Sequence, residues 1–137
     1  MGEDIRAYID KSKSSYYDSI VENEKSPFFK HTKTDVFVAA AAIGYYLKKS
    51  EPISKRQDLF LVSTMSRDEK GRLWIMKSIA ISIVGLEALK DLKKVIKICE
   101  EYANCGIDWL YRAHAEEVDI CADLSEKMSD IINEEGI

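Results

Sequence analysis

The stretch that decides the fold is "FFKHTKTDVFVAAAAIGYYLKKS", which occupies residues 28–50 of this 137-residue chain. Its middle is apolar on every side, which is typical of a helix that is buried centrally. Thr32 or Thr34 can act as the N-cap, and residues 36–47 then form the helix body. Four consecutive alanines and a glycine have almost no side-chain bulk, so other helices can approach closely. We therefore predict a central helix with tightly packed neighbours.

Working outward from this helix, the periodicity of apolar residues predicts four more helices. "SRDE" at residues 66–69 matches the capping-box pattern and should open the third helix, and Gly85 should end it. The predicted spans are 4–23, 36–47, 66–84, 88–104 and 107–133, with a short extended segment near 58–65. The resulting fold prediction is an all-α, single-domain bundle of about five helices around a buried central helix.

The end of the chain has its own pattern. Residues 116–137 are strongly acidic, yet Cys121, Leu124, Met128 and Ile131 recur at a spacing that resembles a heptad seam. A seam of this kind is too apolar to leave in water. We expect it to pack on the rest of the domain or on a second chain, and the latter alternative is a homodimer through the C-terminal helix.

Composition excludes several classes of protein. The hydrophobic share of 46% and the charged share of 32% are those of an ordinary globular chain. No apolar run reaches the ~18 residues needed to cross a bilayer, and the acidic N-terminus is unlike a signal peptide. The three cysteines are odd in number and lack paired spacing. We expect a cytoplasmic protein with free thiols and no membrane partner.

The net charge of −4 is unevenly distributed, because residues 25–97 are basic while residues 1–24 and 98–137 are acidic. A basic middle between acidic ends indicates either internal charge pairing or a surface for an anionic partner. Charge alone leaves both readings open.

The start of the central helix is a candidate phosphate site. A helix N-terminus carries a partial positive charge, yet Lys30, His31 and Lys33 precede or begin this one, with Asp35 the only compensating acid. A bound phosphate would relieve that repulsion. Basic residues after the helix could add DNA-backbone contacts of low sequence preference. The predicted phosphate-binding residues are Lys30, His31, Thr32, Lys33, Thr34, Lys48, Lys49, Lys55 and Arg56.

Metal binding finds little support. Cys99, Cys105, His114 and Cys121 follow the spacing C-x5-C-x8-H-x6-C, whereas structural zinc ligands usually come in pairs two to four residues apart. Most of these side chains also lie on predicted apolar faces, where cysteine behaves as a small hydrophobe. We expect no metal and no cofactor.

Catalysis has one weak candidate. Asp58 with Asp68 and Lys70 imitates the two carboxylates and the lysine of metal-dependent nucleases. That arrangement requires the second carboxylate and the lysine on a strand, whereas "SRDE" favours a helix start. A small nuclease remains an alternative, and we expect a protein without catalysis of its own.

Two stretches carry a family resemblance. "KTDVFVAAAAIGYYLKKSEPISKR" and "EEYANCGIDWL" resemble the signatures of a small prokaryotic family, the Dnd-system-associated proteins of the fourth type. That family accompanies gene clusters that place sulphur in the DNA backbone or restrict DNA lacking it. The resemblance implies a setting in antiphage DNA defence and provides no catalytic residues.

Taken with the charge pattern, the resemblance predicts a non-catalytic accessory protein of a phosphorothioation-linked defence system. It would contact the DNA backbone or another defence protein. The competing interpretation is an interaction or oligomerisation module without nucleic-acid contact, in which the acidic tail docks on a partner and the basic middle is its mate.

Overall fold

The computed structural model describes residues 5–24, 26–62 and 71–115 of the chain. Those ranges contain four α-helices, two β-strands, and short 3-10 helices at Lys11–Lys13 and Leu86–Lys90. The elements are β1 (Arg6–Asp10), α1 (Ser14–Glu22), α2 (Lys33–Leu47), β2 (Arg56–Leu61), α3 (Arg72–Val84) and α4 (Leu92–Ala115).

Helix α2 is the centre of the molecule, as its all-round apolarity predicts. Every residue from Val36 to Gly44 is buried. Thr32 is the N-cap, and it forms a capping box in which its hydroxyl accepts from the Asp35 N–H and the Asp35 carboxylate accepts from the Thr32 N–H. The helix ends at Lys48, which adopts the left-handed conformation with φ 58°.

Helix α4 lies directly against α2, and two glycines allow it. A Cβ on Gly44 would come within 2.0 Å of the Tyr102 carbonyl oxygen, and one on Gly106 within 1.7 Å of the Ala40 carbonyl oxygen. Gly106 therefore serves backbone packing and does not end a helix. The prediction of separate helices at 88–104 and 107–133 is wrong for the described residues, because α4 is continuous from Leu92 to Ala115.

The all-α prediction is also wrong, because β1 pairs with β2 in a two-stranded antiparallel sheet. Arg6 lies opposite Leu61 and Asp10 opposite Arg56. Residues 6–10 were predicted to start a helix spanning 4–23, whereas the helical part begins only at Ser14. In β1 the alternate residues Ala7 and Ile9 are buried, which is the period of a strand with one face on the core.

Helix α3 ends at Gly85 as predicted, and this glycine has a φ of 87° that favours a residue without a Cβ. Its buried residues are Met76, Ile79 and Ala80. The all-round apolarity of residues 73–84 predicts one of the most buried segments of the chain, and this prediction is wrong, since the outward side of α3 is apolar and exposed. The capping box predicted at 66–69 lies outside the described residues.

The buried side chains form one cluster to which both sheet and helices contribute, with Tyr17, Phe37, Met76 and Leu110 among its largest members. None of the described helices is both long and apolar enough to cross a bilayer. The predicted seam at 121–131 and the acidic segment 116–137 lie outside the described residues.

Candidate anion-binding site

The start of α2, where phosphate binding was predicted, already has a carboxylate beside it. The Asp35 side chain is only 13% exposed, and its oxygens lie 3.2 Å from His31 Nδ1 and 3.2 Å from Arg72 Nη1. Lys33 pairs with the Asp18 carboxylate of α1. The protein itself thus places a negative charge at the positive end of this helix.

The other predicted residues lie elsewhere. Lys48 and Lys49 follow the far end of α2, roughly 20 Å along the helix axis from Lys33. Lys55 and Arg56 lie at the start of β2. The fold does not bring the nine predicted residues together at one place, and Arg56 lines a cleft that lies away from the start of α2. Phosphate binding at the start of α2 stays a prediction.

That cleft has a volume of about 350 Å³ and opens between the sheet and the first turns of α4. We call it the β–α4 cleft. Four cationic side chains and one carboxylate line it, together with two isoleucines and a tyrosine. The lining residues are Ile5, Arg6, Tyr8, Arg56, Lys93, Ile96, Lys97 and Glu100.

Strand pairing and helix periodicity place these side chains. Because alternate residues of a strand point to opposite faces, burying Ala7 and Ile9 leaves Arg6 and Tyr8 on the side of the cleft. The Arg56 guanidinium lies 5.3 Å from the centre of the Tyr8 ring, a cation–π distance. On α4, the steps from residue 93 to 97 and on to 100 keep the charged side chains on one stripe.

Glu100 ties α4 to the sheet. One of its carboxylate oxygens accepts a hydrogen bond of 2.7 Å from the Tyr8 backbone N–H. Burial raises the pKa of the Glu100 carboxyl, while the hydrogen bond from Tyr8 and the charges of Arg56 and Lys97 act in the opposite direction. The carboxylate is therefore held at an electrostatic cost that the nearby positive charges only partly offset.

The loop between α2 and β2 is also fixed to α4, and this positions the start of β2 beside the cleft. The Asn104 amide nitrogen donates to the carbonyl oxygens of Glu51 and Pro52, each at 3.2 Å. The Glu51 N–H donates to the Glu101 carbonyl oxygen at 3.0 Å. The backbone leading to Arg56 is therefore held in place, which reduces the conformational entropy that is lost when Arg56 binds a ligand.

Sequence reasoning missed most of the cleft. Arg6 was overlooked because its segment was assigned to a helix, and Lys97 because the basic middle of the chain was judged by its total charge alone. Lys93 and Lys97, four residues apart and followed by Glu100, are the signal that could have drawn attention to this stripe. Only the fold shows that a strand with two more cations lies beside it.

Some of the residues considered as metal ligands lie within the described ranges. Cys99 is buried, which raises the pKa of its thiol to about 12 and disfavours the thiolate that a metal requires. His114 lies near Ser19 and Asn23. Across residues 5–24, 26–62 and 71–115, no three histidine, cysteine or carboxylate side chains are grouped to hold a metal ion. Asp58 lies on β2, while Asp68, Lys70 and Cys121 lie outside those ranges.

The geometry of the cleft does not indicate a biological setting, and comparison with protein families provides one. The family described as DNA sulphur modification system-associated protein 4 matches residues 6–136, nearly the whole chain. The chain belongs to this family. The resemblance in its two signature stretches is thereby confirmed, and the link to a DNA sulphur modification system follows from the family's description.

The range that this family matches includes every charged side chain of the β–α4 cleft, from Arg6 to Glu100. Searches of the curated proteins and of the solved structures give no match to the chain. The family therefore provides a biological setting, and the chemistry has to be argued from the cleft.

Proposed function

We propose that this protein is a non-catalytic accessory of a DNA sulphur modification system, in an antiphage defence setting, and that it binds the DNA backbone in the β–α4 cleft. The observation that carries the proposal is that Arg6, Arg56, Lys93 and Lys97 all line one cleft of about 350 Å³, whose lining contains a single carboxylate, that of Glu100. Such a grouping attracts anions, and the family's setting makes a DNA phosphate the relevant one.

The chemistry of the side chains suits phosphate. A guanidinium can donate two parallel hydrogen bonds to phosphate oxygens, and two arginines here start the two strands. The lysines of α4 add charge without fixed geometry. No described element resembles a helix presented to a DNA groove, so contacts of this kind position the protein on DNA without reading its sequence.

The experiment is a salt titration of binding to a fluorescent duplex, in unmodified and phosphorothioate form. We compare the wild type with Arg6→Ala/Lys97→Ala in the cleft and with Lys30→Ala/Lys33→Ala at the start of α2. Both double variants remove two positive charges, so the comparison isolates position. The cleft variant should weaken binding and flatten the log–log salt slope by up to ~2 units, because each neutralised phosphate contributes about −0.9. The α2 variant should bind like the wild type.

Three outcomes would contradict the proposal. If the α2 variant loses affinity and the cleft variant does not, the phosphate lies at the start of α2. Equal losses in both variants would indicate unspecific attraction to net charge. Absence of binding by the wild type at ~50 mM salt, where electrostatic contacts are least screened, would leave the interaction-module alternative. Circular dichroism confirms that each variant is folded.

A further inference from the structure

The walls of the β–α4 cleft are partly apolar. Ile5, Tyr8 and Ile96 line it together with the cations. On α4, positions 93, 96, 97 and 100 fall within an arc of about 100°, so Ile96 lies beside the charged stripe and not across the helix from it. Ile96 is only 2% exposed, whereas Ile5 is partly buried. Ile5 is therefore the isoleucine that a ligand in the cleft reaches more readily.

The backbone holds these apolar side chains in place. The Ile5 carbonyl oxygen accepts a hydrogen bond of 2.8 Å from the Val62 N–H, just beyond the paired strands. The Tyr8 N–H is bound by the Glu100 carboxylate, and the Tyr8 ring lies against the Arg56 guanidinium. The apolar groups therefore keep a fixed position relative to the cations of the cleft.

An apolar wall disfavours an ordinary phosphate. Each non-bridging oxygen is a strong hydrogen-bond acceptor, and an oxygen placed against an isoleucine loses water without gaining a donor. Sulphur in place of one such oxygen is a weaker acceptor and more polarisable, and it makes favourable contacts with apolar and aromatic side chains. The group keeps its negative charge, so the cations still attract it. A lining that is both apolar and cationic therefore suits a phosphate in which sulphur replaces one oxygen.

We propose that the β–α4 cleft, in which Ile5 and Tyr8 lie beside four cations, prefers a DNA phosphorothioate to an ordinary DNA phosphate. The oxygen of the group faces the cations and the sulphur faces Ile5 and Tyr8, so Ile5 is the residue that determines this specificity. The proposal rests on the DNA-backbone binding proposed above and specifies the ligand of the same site. The family's description, which names a DNA sulphur modification system, supports this choice of ligand.

A cleft with fixed walls should also distinguish the two configurations of a phosphorothioate. Replacing one non-bridging oxygen by sulphur makes the phosphorus a stereocentre, so the sulphur points to one side of the backbone or to the other. When the strand runs through the cleft in one direction, only one diastereomer directs its sulphur at Ile5 while its oxygen faces the cations. Unspecific attraction to sulphur would instead raise the affinity for both diastereomers equally.

The test uses fluorescence anisotropy with three duplexes of one sequence that differ at a single linkage, which is an ordinary phosphate or one of the two separated phosphorothioate diastereomers. The wild type should bind one diastereomer about 2- to 10-fold more tightly than the phosphate, as expected for one favourable sulphur contact. Ile5→Thr keeps a β-branched side chain but adds a hydroxyl, so the ratio of the two dissociation constants should fall to about one. Ile83→Thr makes the same change at an exposed position of α3 and should keep the wild-type ratio.

The ratio is taken within one protein, so a general loss of affinity cancels from it. A wild type that binds all three duplexes equally would overturn the preference while leaving backbone binding intact. Equal gains for both diastereomers, or a preference that Ile5→Thr retains, would overturn the assignment of sulphur to this wall. The comparison of diastereomers needs no variant, so it decides even if Ile5→Thr does not fold. Absence of binding to any duplex at ~50 mM salt would contradict the proposed function itself, and the preference with it.

Discussion

Glu100 has two opposing effects, because its hydrogen bond stabilises the fold while its negative charge disfavours anion binding in the cleft. It lines the same cleft as four cations, yet its pKa is raised, because burial outweighs the hydrogen bond from Tyr8 and the charges of Arg56 and Lys97. A carboxylate at this place stabilises the contact between α4 and the sheet, and at the same time it opposes the entry of a phosphate. The cleft is therefore less attractive to anions than its cations alone would make it.

Replacing this carboxylate should separate the two effects. Glu100→Gln keeps an oxygen that accepts from the Tyr8 N–H but removes the negative charge. We expect it to bind duplex DNA several-fold more tightly at neutral pH, since even one removed phosphate-facing charge is worth about 1 kcal/mol in partly screened surroundings. Fluorescence anisotropy measures the affinity, and Glu22→Gln on exposed α1 is the control with the same charge change.

The pH dependence gives an independent check. Wild-type affinity should rise as pH falls toward the raised pKa of Glu100, because protonation neutralises the carboxylate, and Glu100→Gln should lack this rise. The folded chain binds this proton more tightly than the unfolded chain does. The group's contribution to the free energy of unfolding is therefore full below its ordinary pKa of 4.5 and lost as pH rises through the raised value. Equal pH profiles for wild type and variant would contradict this role.

At the scale of elements, the sequence correctly predicted those helix ends and extended segments that depend on interactions between residues close in sequence. Thr32, one of the two candidate N-caps, is confirmed, as are the end of α3 at Gly85 and the part of the predicted extended segment that lies in β2. Caps and glycines with a positive φ act within a few residues. Strand β1 could not be predicted in this way. Its spacing of apolar residues fits a helix as well as a strand, and its partner β2 lies far along the chain, so only non-local pairing decides.

Exposure also depends on neighbours. Helices α2 and α3 are both apolar all round, yet α2 has other elements on every side while α3 has them on one. Likewise, the cleft could not be predicted beyond Arg56, because its cations come from β1, β2 and α4 and meet only through the fold. Periodicity describes one element, and the number of layers around it is a property of the whole arrangement.

The contact between α2 and α4 makes a sharp prediction about Gly106. In an isolated helix, Gly→Ala stabilises by up to about 1 kcal/mol. Here the added Cβ would meet the Ala40 carbonyl oxygen at 1.7 Å, so the two helices must separate. We expect Gly106→Ala to lower the free energy of unfolding by ~1–3 kcal/mol, the usual cost of overpacking, as measured by urea denaturation.

The control for this change is Lys94→Ala, which places the same residue at an exposed position of α4 and should leave stability within ~0.5 kcal/mol of the wild type. An unchanged or higher stability of Gly106→Ala would mean that α4 bends at Gly106 instead of passing straight against α2. The interpretation of the glycine as a packing residue would then be wrong.

At the scale of the whole molecule, the overall charge of the chain opposes the function proposed for the cleft. The formal net charge is −4, so DNA is repelled by the protein as a whole and attracted only by the local group of cations that lines the β–α4 cleft. Binding therefore depends on the position of the positive charges and not on their total, which is what the comparison of the two double variants measures.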